Sequence, residues 1–501
     1  MLGNYTPPQC DFDTVRMNLT VTSKGRQYDR LALMYLSDTE VFRTSTAEPT
    51  ATGIVWTYIK EMSQYLALWK TPQKVIFDLP NLVDNTYTGI YNVTVTVSFT
   101  KENNVRVADI ILPISARQAS NNAPSAFTVP AENATVNLTI PDNSQRAVVS
   151  ISACGQIAEE FWWSNVLSQD TDTFDATIGS TLGQLYGQSP FREIQLYIDG
   201  SLAAVVWPFA IIFSGGVVPG FWRPIMGIDG FDLREPEVDI SPFLPLLTDG
   251  RSHSFQIKVA GLNTPPDGPI TLNETVGSYW VVTGKVFIYL ADEKQGALGA
   301  DRGLPPTIFA PEPQFSFTRT VTQNSSGVNE TLTYSVQARR TLTVRSGSSS
   351  WTQDLSYSNT GLVNQAGYSQ RNIQSTTGSL SSSGFGLDGK FAEYRTTFNY
   401  PLDVNNTYGF NATGLNISAT MNRGLELSSS GGLGVSTYTL TSGPVNLETQ
   451  QWGTAMYESN GGNSSSWGET YDRFNETSGG TTYTRYVHAV NSTVVQDQES
   501  P

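Results

Sequence analysis

The chain has 501 residues, a formal net charge of −15, two histidines and two cysteines. The length points to roughly two to four domains rather than one core. The acid excess argues against a nucleic-acid partner, whose phosphates need a lysine- and arginine-rich surface. Two histidines, at 253 and 488, nearly exclude a Ser-His-Asp triad, and there is no Cys/His cluster or EF-hand spacing for a metal. No cofactor is expected, and any reaction must lean on carboxylates.

Glycine, proline, serine, threonine and asparagine are abundant, and β-branched residues alternate with polar ones, which predicts an all-β chain of short strands and turns. Near the N-terminus Asp29-Arg30 heads a strand with Leu31, Leu33 and Tyr35 alternating. Residues 62–69 then read as a helical turn with an aromatic anchor and two leucines, followed by a core strand at 74–77. Val93, Val95, Val97 and Phe99 alternate cleanly, and a linker rich in Asn, Ala, Ser and Pro spans 118–124. The pattern then recurs. Arg192-Glu193 heads a strand with Ile194, Leu196 and Ile198 alternating, and a helical turn at 240–247 precedes a strand at 254–259. Matching Leu31 to Ile194 pairs Asp29 with Arg192 in facing direction and turns Glu193 the other way. Two copies of one β-domain are expected, at 1–117 and 125–292. A Gly- and Pro-rich boundary at 294–313 leads to a third β-rich domain at 306–501, with strand patterns at 331–344 and 437–440.

Fourteen Asn-X-Ser/Thr sequons are present, at Asn4, Asn18, Asn92, Asn133, Asn137, Asn273, Asn324, Asn329, Asn405, Asn411, Asn416, Asn463, Asn475 and Asn491. That density favours a glycoprotein of the secretory pathway, secreted or held in a vacuolar lumen. In that compartment Cys10 and Cys154 would form one disulfide, the alternative being two buried thiols. No signal peptide is visible at the start of the chain, which suggests a leader already removed. The longest apolar run, 202–213, contains Pro208 and is too short to span a bilayer.

Acids and aromatics crowd the stretch from Glu159 to Glu237, which holds Glu159-Glu160-Phe161-Trp162-Trp163, Phe191-Arg192-Glu193, Trp207-Pro208-Phe209 and Phe221-Trp222-Arg223-Pro224. Aromatics beside Glu159 and Glu160 could bury one acid and raise its pKa into a useful range, or the two could form a solvated turn. Asp29 and Glu193 are either strand-end ion pairs or reacting acids. Trp162, Trp163, Trp207 and Trp222 are either core or platforms for sugar rings; turns rich in glycine favour a cleft wall for Trp222.

These blocks, together with Gln27-Tyr28-Asp29-Arg30-Leu31 and Ser278-Tyr279-Trp280, resemble the acidic peptide N-glycanases of plants and fungi, the PNGase A family, over about residues 5 to 292. The resemblance implies hydrolysis of the amide between asparagine and the first N-acetylglucosamine of an N-glycan. It leaves aspartate in the peptide, and the substrate is an N-glycosylated peptide or glycoprotein. The more distant bacterial PNGase F type is built from two jelly rolls with a site at their interface. The expected fold is therefore two consecutive jelly-roll β-sandwich domains followed by a third β-rich domain. Its catalytic aspartate lies in Trp-Asp-Arg-Tyr at a strand head, which assigns to Asp29 the activation of water. Its glutamate precedes a Phe-Arg pair by three residues, where this chain has Gln188. Glu160 or Glu193 would supply the missing acid, with Asp78 a further candidate acid on a first-domain strand end. Arg192 and Arg223 would stabilise the oxyanion, and Trp162, Trp163, Trp207 and Trp222 would hold the glycan. The alternatives are a carboxylate-pair glycosidase and a non-catalytic glycan-binding module.

Overall fold

The computed structural model describes residues 1–102, 106–291, 303–386, 388–411, 414–431, 445–460 and 463–500. The strand expected at 437–440 and part of the boundary expected at 294–313 lie outside them. Among the described residues the chain is all-β, built from five antiparallel sheets.

The first two sheets pack face to face. In one, Leu31–Leu36 lies between Thr39–Ser45 and Gln73–Asp78, with Leu2–Tyr5 at the edge. In the other, Thr14–Ser23 lies between Ile54–Glu61 and Asn92–Thr100. Side chains alternate across a strand, so Val15, Met17, Leu19 and Val21 meet Ala32, Met34 and Leu36 in a shared core.

The next two sheets repeat this plan. Arg192–Ile198 lies between Ser201–Val206 and His253–Asn263, with Thr135–Leu138 at the edge. Facing it, Ser144–Gln156 lies between Glu237–Asp239 and Tyr279–Leu290. The paired helical turns are present too: Leu66–Trp69 precedes Gln73–Asp78, and Leu244–Leu247 precedes His253–Asn263. Ile110–Ile114, which precedes the linker, adds to Tyr279–Leu290 of the second unit.

Register corrects the sequence match by one residue. Both hairpins carry a bulge, between Met34 and Tyr35 in one and between Leu196 and Tyr197 in the other. Aligning the bulges matches Ala32, Met34 and Leu36 to Ile194, Leu196 and Ile198, all of which point into their own cores. Leu31, Leu33 and Tyr35 instead face outward, against Cys154, Phe213 and Leu233 of the second unit. A one-residue slip turns every side chain to the other face, so Asp29 and Glu193 share a facing direction and Arg192 does not.

The three parts stack in order. The outer face of Leu31–Leu36 meets the outer face of the Ser144–Gln156 sheet, where Arg43 is paired with Glu40 and donates to the Val281 carbonyl. The outer face of Arg192–Ile198 meets a meander of long strands that runs from Asn329–Ser346 to Thr493–Ser500. This C-terminal sheet grips the second unit through backbone groups. Gln353 bonds both the amide and the carbonyl of Val205. Tyr334, Thr470, Gln451 and Arg423 donate to the carbonyls of Asn165, Phe221, Met226 and Ala210.

The expected disulfide is absent. Cys10 is exposed and Cys154 is buried at the joint between the first two units, and both are free. No described helix is long and apolar enough to cross a membrane.

The buried pair between Arg340 and Glu193 (2.8 Å; 8% and 0% exposed) locks the C-terminal sheet to the second unit. Removing Arg340 leaves the buried Glu193 without its counter-charge. Arg340→Ala should therefore cost about 3 kcal/mol, while Arg371→Ala, in an exposed pair, should cost under about 1 kcal/mol; comparative thermal melting reads the difference.

Candidate active site

Three acids from three segments meet at one end of the joint between the first two units. Asp29 heads its strand on the outward face. Glu48 lies just past the neighbouring strand Thr39–Ser45, and Ser214 fixes it by accepting from the Glu48 amide at 2.9 Å and donating to the Thr46 carbonyl at 3.0 Å. Glu160 sits in the 3-10 segment Ile157–Ser164 that follows Ser144–Gln156.

Between Asp29 and Glu48 lies Gly215. Its amide donates to Asp29 Oδ2 at 2.5 Å. A side chain there would begin 2.9 Å from Glu48 Oε1 and 3.0 Å from Asp29 Oδ2, so glycine lets the backbone come close to both acids without displacing them. Arg223 reaches Glu48 Oε2 at 3.4 Å and is still partly open to solvent.

Crowding and burial set the protonation of this cluster. Burial pushes Asp29 up to about 6, against the lowering effect of the Gly215 amide and Arg30. Glu160 rises to about 8 through burial and the charges of Asp29 and Glu48. Glu48 rises to about 8 through burial and Asp29, opposed by Arg223 and Arg26. The arrangement thus holds one acid that ionises first and two that keep their protons near neutrality, the separation needed for a base beside an acid.

The segments carrying these groups are strained and braced. Ile157 (φ 58°) and Val217 (φ 62°) are β-branched residues in left-handed backbone, close in sequence to Glu160 and Gly215. Trp222 Nε1 donates to the Gly216 carbonyl at 2.7 Å, closing the loop on itself. Gly220 lies against Gly468 of the C-terminal sheet: a Cβ on Gly468 would sit 2.1 Å from the Gly220 carbonyl oxygen. Beside the acids, Tyr28 is 49% exposed and its ring lies 4.8 Å from that of Tyr87. Gln27 ties the loop bearing Tyr87 by donating to Asn81, Leu82 and Gly89.

Several residues expected here lie elsewhere. Glu193 is consumed by Arg340, Gln195 and Trp207. Arg192 is fully buried in a two-point pair with Glu159, which also accepts from Trp280 and the Gly277 amide. Asp78 is raised by burial and lowered by the amino terminus, with no member of the cluster among its causes. Trp162, Trp163, Trp207 and Trp222 are all buried in hydrophobic cores. They pack the segments that hold the acids and present no open face for a sugar. Glu48 was missed because Ala47-Glu48-Pro49 lies in a connection without periodicity. Its one sequence signal is an acid just past the strand that pairs with Asp29's own. Tyr28 and Tyr87 lie outside any periodic run, so nothing in the sequence marks their rings as open.

The family model described as Peptide N-acetyl-beta-D-glucosaminyl asparaginase amidase A matches residues 1–301, and that of the PNGase_A C-terminal domain matches 333–402. Peptide-N4-(N-acetyl-beta-glucosaminyl)asparagine amidase A of Prunus dulcis is 36% identical over 281 residues, 52% of this chain and 48% of that protein. The chain thus spans about half the length of the curated relative it matches. Two solved structures of PNGF-II, in P21 and C2 space groups, have TM-scores of 0.35 and 0.36. Their identities are 13% and 12%, over 58% and 59% of this chain and 60% of each of theirs. With three-fifths of its length under one family model, the chain belongs to the peptide N-acetyl-β-D-glucosaminyl asparaginase amidase A family.

Proposed function

We propose that the chain hydrolyses the amide joining an asparagine side chain to the first N-acetylglucosamine of an N-glycan, with the cluster Asp29–Glu48–Glu160 as its chemical centre. The observation that carries this reading is the split in protonation among three crowded acids, in a member of this amidase family. Ionised Asp29 accepts a proton from water as its oxygen attacks the amide carbon. Protonated Glu160 hydrogen-bonds the carbonyl oxygen and then delivers a proton to the leaving nitrogen. Arg223 steadies the negative charge on the oxygen as the tetrahedral carbon forms, and Glu48, neutral at working pH, holds Arg223 in place. The products are an aspartate-containing peptide and a glycosylamine. The Tyr28–Tyr87 pair offers an open aromatic surface on which a sugar ring can lie.

The acid assignment has a direct test. Asp29→Asn and Glu160→Gln should each lower kcat by about a hundredfold or more, whereas Glu193→Gln should leave the pH profile of kcat unchanged. Mass spectrometry of the product peptide must show aspartate at the former glycosylation site. A product that keeps asparagine with one N-acetylglucosamine means a glycosidase, and no product beside measurable glycan binding means a binding module.

Rate should be bell-shaped in pH. It rises as Asp29 ionises near 6 and falls as Glu160 loses its proton near 8. Stability follows the same groups. A carboxyl whose folded pKa is raised stabilises the fold below its unfolded pKa, and that contribution is lost as pH climbs through the folded value. Glu48→Gln should therefore match the parent in Tm near pH 4 and exceed it near pH 8, its folded value being about 8. Equal Tm values at both pH values sink this assignment.

We also infer residence in the lumen of the secretory pathway. The exposure of Asn4, Asn18, Asn92, Asn133, Asn137, Asn324, Asn463 and Asn491 supports it. Peptide mapping of protein from its native source should find sugar at several of these positions; unmodified asparagine at all of them overturns the inference.

A further inference from the structure

The strands Leu31–Leu36 and Thr39–Ser45 stop pairing one residue short of the acids they present. The Thr46 amide still donates to the Arg30 carbonyl at 3.0 Å, as an antiparallel ladder requires. The return bond is diverted. The Arg30 amide donates to the Thr46 hydroxyl at 2.8 Å, while the Thr46 carbonyl accepts from Ser214. The ladder ends there, and the carbonyls of Tyr28 and Ala47 both turn to one side chain, Tyr91.

Tyr91 Oη donates to the Tyr28 carbonyl at 2.8 Å and to the Ala47 carbonyl at 3.3 Å, and it accepts from the Thr46 hydroxyl at 3.1 Å. Each of those carbonyls belongs to the residue immediately before an acid of the cluster, Asp29 in one case and Glu48 in the other. A hydroxyl has one proton and two lone pairs, so a single oxygen joins both segments and the end of their ladder. Tyr91 itself belongs to the opposite sheet. It precedes Asn92–Thr100, and its buried ring sits in the first unit's core and meets Trp56 edge-on at 6.1 Å. The backbone before it is anchored where Gly89 donates to the Arg26 carbonyl and accepts from Gln27. Burial raises the phenol, and the charges of Asp29 and Glu48 raise it further against Thr46 and Arg30, so it stays a donor.

Resting on the hydrolysis proposed above, we infer that Tyr91 is a positioning residue for it: its hydroxyl, delivered from the opposite sheet, sets the spacing of Asp29 and Glu48 on either side of Gly215. It touches no reacting atom and acts through the backbone that carries the two acids. Without the hydroxyl, two inward carbonyls lose their donor, and such groups draw in water. Water beside Asp29 weakens the burial that raises it, so its carboxyl moves back towards the ordinary range. The charged groups around it stay in place: Arg30 on its own segment, Glu48 past the paired strand and Glu160 from the second unit, with Arg26 and Arg223 acting on Glu48.

The test is kcat against pH for Tyr91→Phe and Thr46→Val on one glycopeptide, below the melting point of each variant. Both should lower kcat about tenfold, the effect of one lost hydrogen bond. KM should not change, and the acid limb of the profile should move to lower pH. Thr46→Ser keeps the hydroxyl and should restore the parent profile. Tyr5→Phe removes a like bond in the same unit, to the Trp69 carbonyl at 2.7 Å, and should leave the profile alone. An unmoved acid limb in both Tyr91→Phe and Thr46→Val overturns the inference, whatever happens to kcat, and so does an equal shift in Tyr5→Phe. Asp29→Asn, run beside them, separates the two failures. Full activity there overturns the proposed hydrolysis itself. Its loss, with Tyr91→Phe and Thr46→Val behaving as the parent, overturns the positioning role alone.

Discussion

Three carboxyl groups do not gather in a desolvated cleft of their own accord. Each added negative charge raises the free energy of the others, so the backbone segments bearing them must be held from outside. Asp29 is held because its strand pairs on both sides. Glu48 is held by Ser214, and the loop 212–224 is held by the C-terminal sheet, where Gly220 lies against Gly468 and Thr470 donates to the Phe221 carbonyl. Glu160 follows a long strand of the second unit and precedes Trp163, whose carbonyl accepts from Gln374 of the same sheet. The site depends on that external grip, and the strained backbone at Ile157 and Val217 is tolerated for the same reason.

Other buried acids are paired with cations. Glu40, Glu159, Glu193, Asp232 and Glu235 each meet a cation within 2.8 Å. They are ion pairs that join sheets and loops, and their charge is neutralised on the spot. Arg30 lowers Asp29 and Arg223 lowers Glu48, yet burial and mutual repulsion win at the cluster. Burial raises Glu193 and Asp232 as well, but each of those meets a cation within 2.8 Å, whereas Glu48 and Glu160 are also raised by the acids around them.

The two kinds are hard to tell apart in sequence. Glu159 and Glu160 are neighbours with one environment on paper, yet one is paired to Arg192 and the other joins the cluster. A single step along a 3-10 turn decides it. The all-β class, the repeated helical turn and the strand headed by Asp29-Arg30 were legible because they rest on local periodicity. The match of Leu31 to Ile194 failed by one residue because both faces of the first strand are buried, so its apolar run does not reveal which face is inward. The tryptophans failed for a related reason. Composition marks an aromatic residue as valuable but not as exposed, and here the open rings are tyrosines.

The repeated sheet plan has one more consequence. In a stack whose members meet by the outer face of one sheet on the outer face of the next, the contact is head-to-tail, and nothing in it limits the number of members. The face of the first unit that carries Asp29 is covered by the second unit. The equivalent face of the second, carrying Glu193, would be ready to receive a third. The C-terminal meander occupies that face, neutralises Glu193 with Arg340, and so acts as a terminator. It ends the series at two.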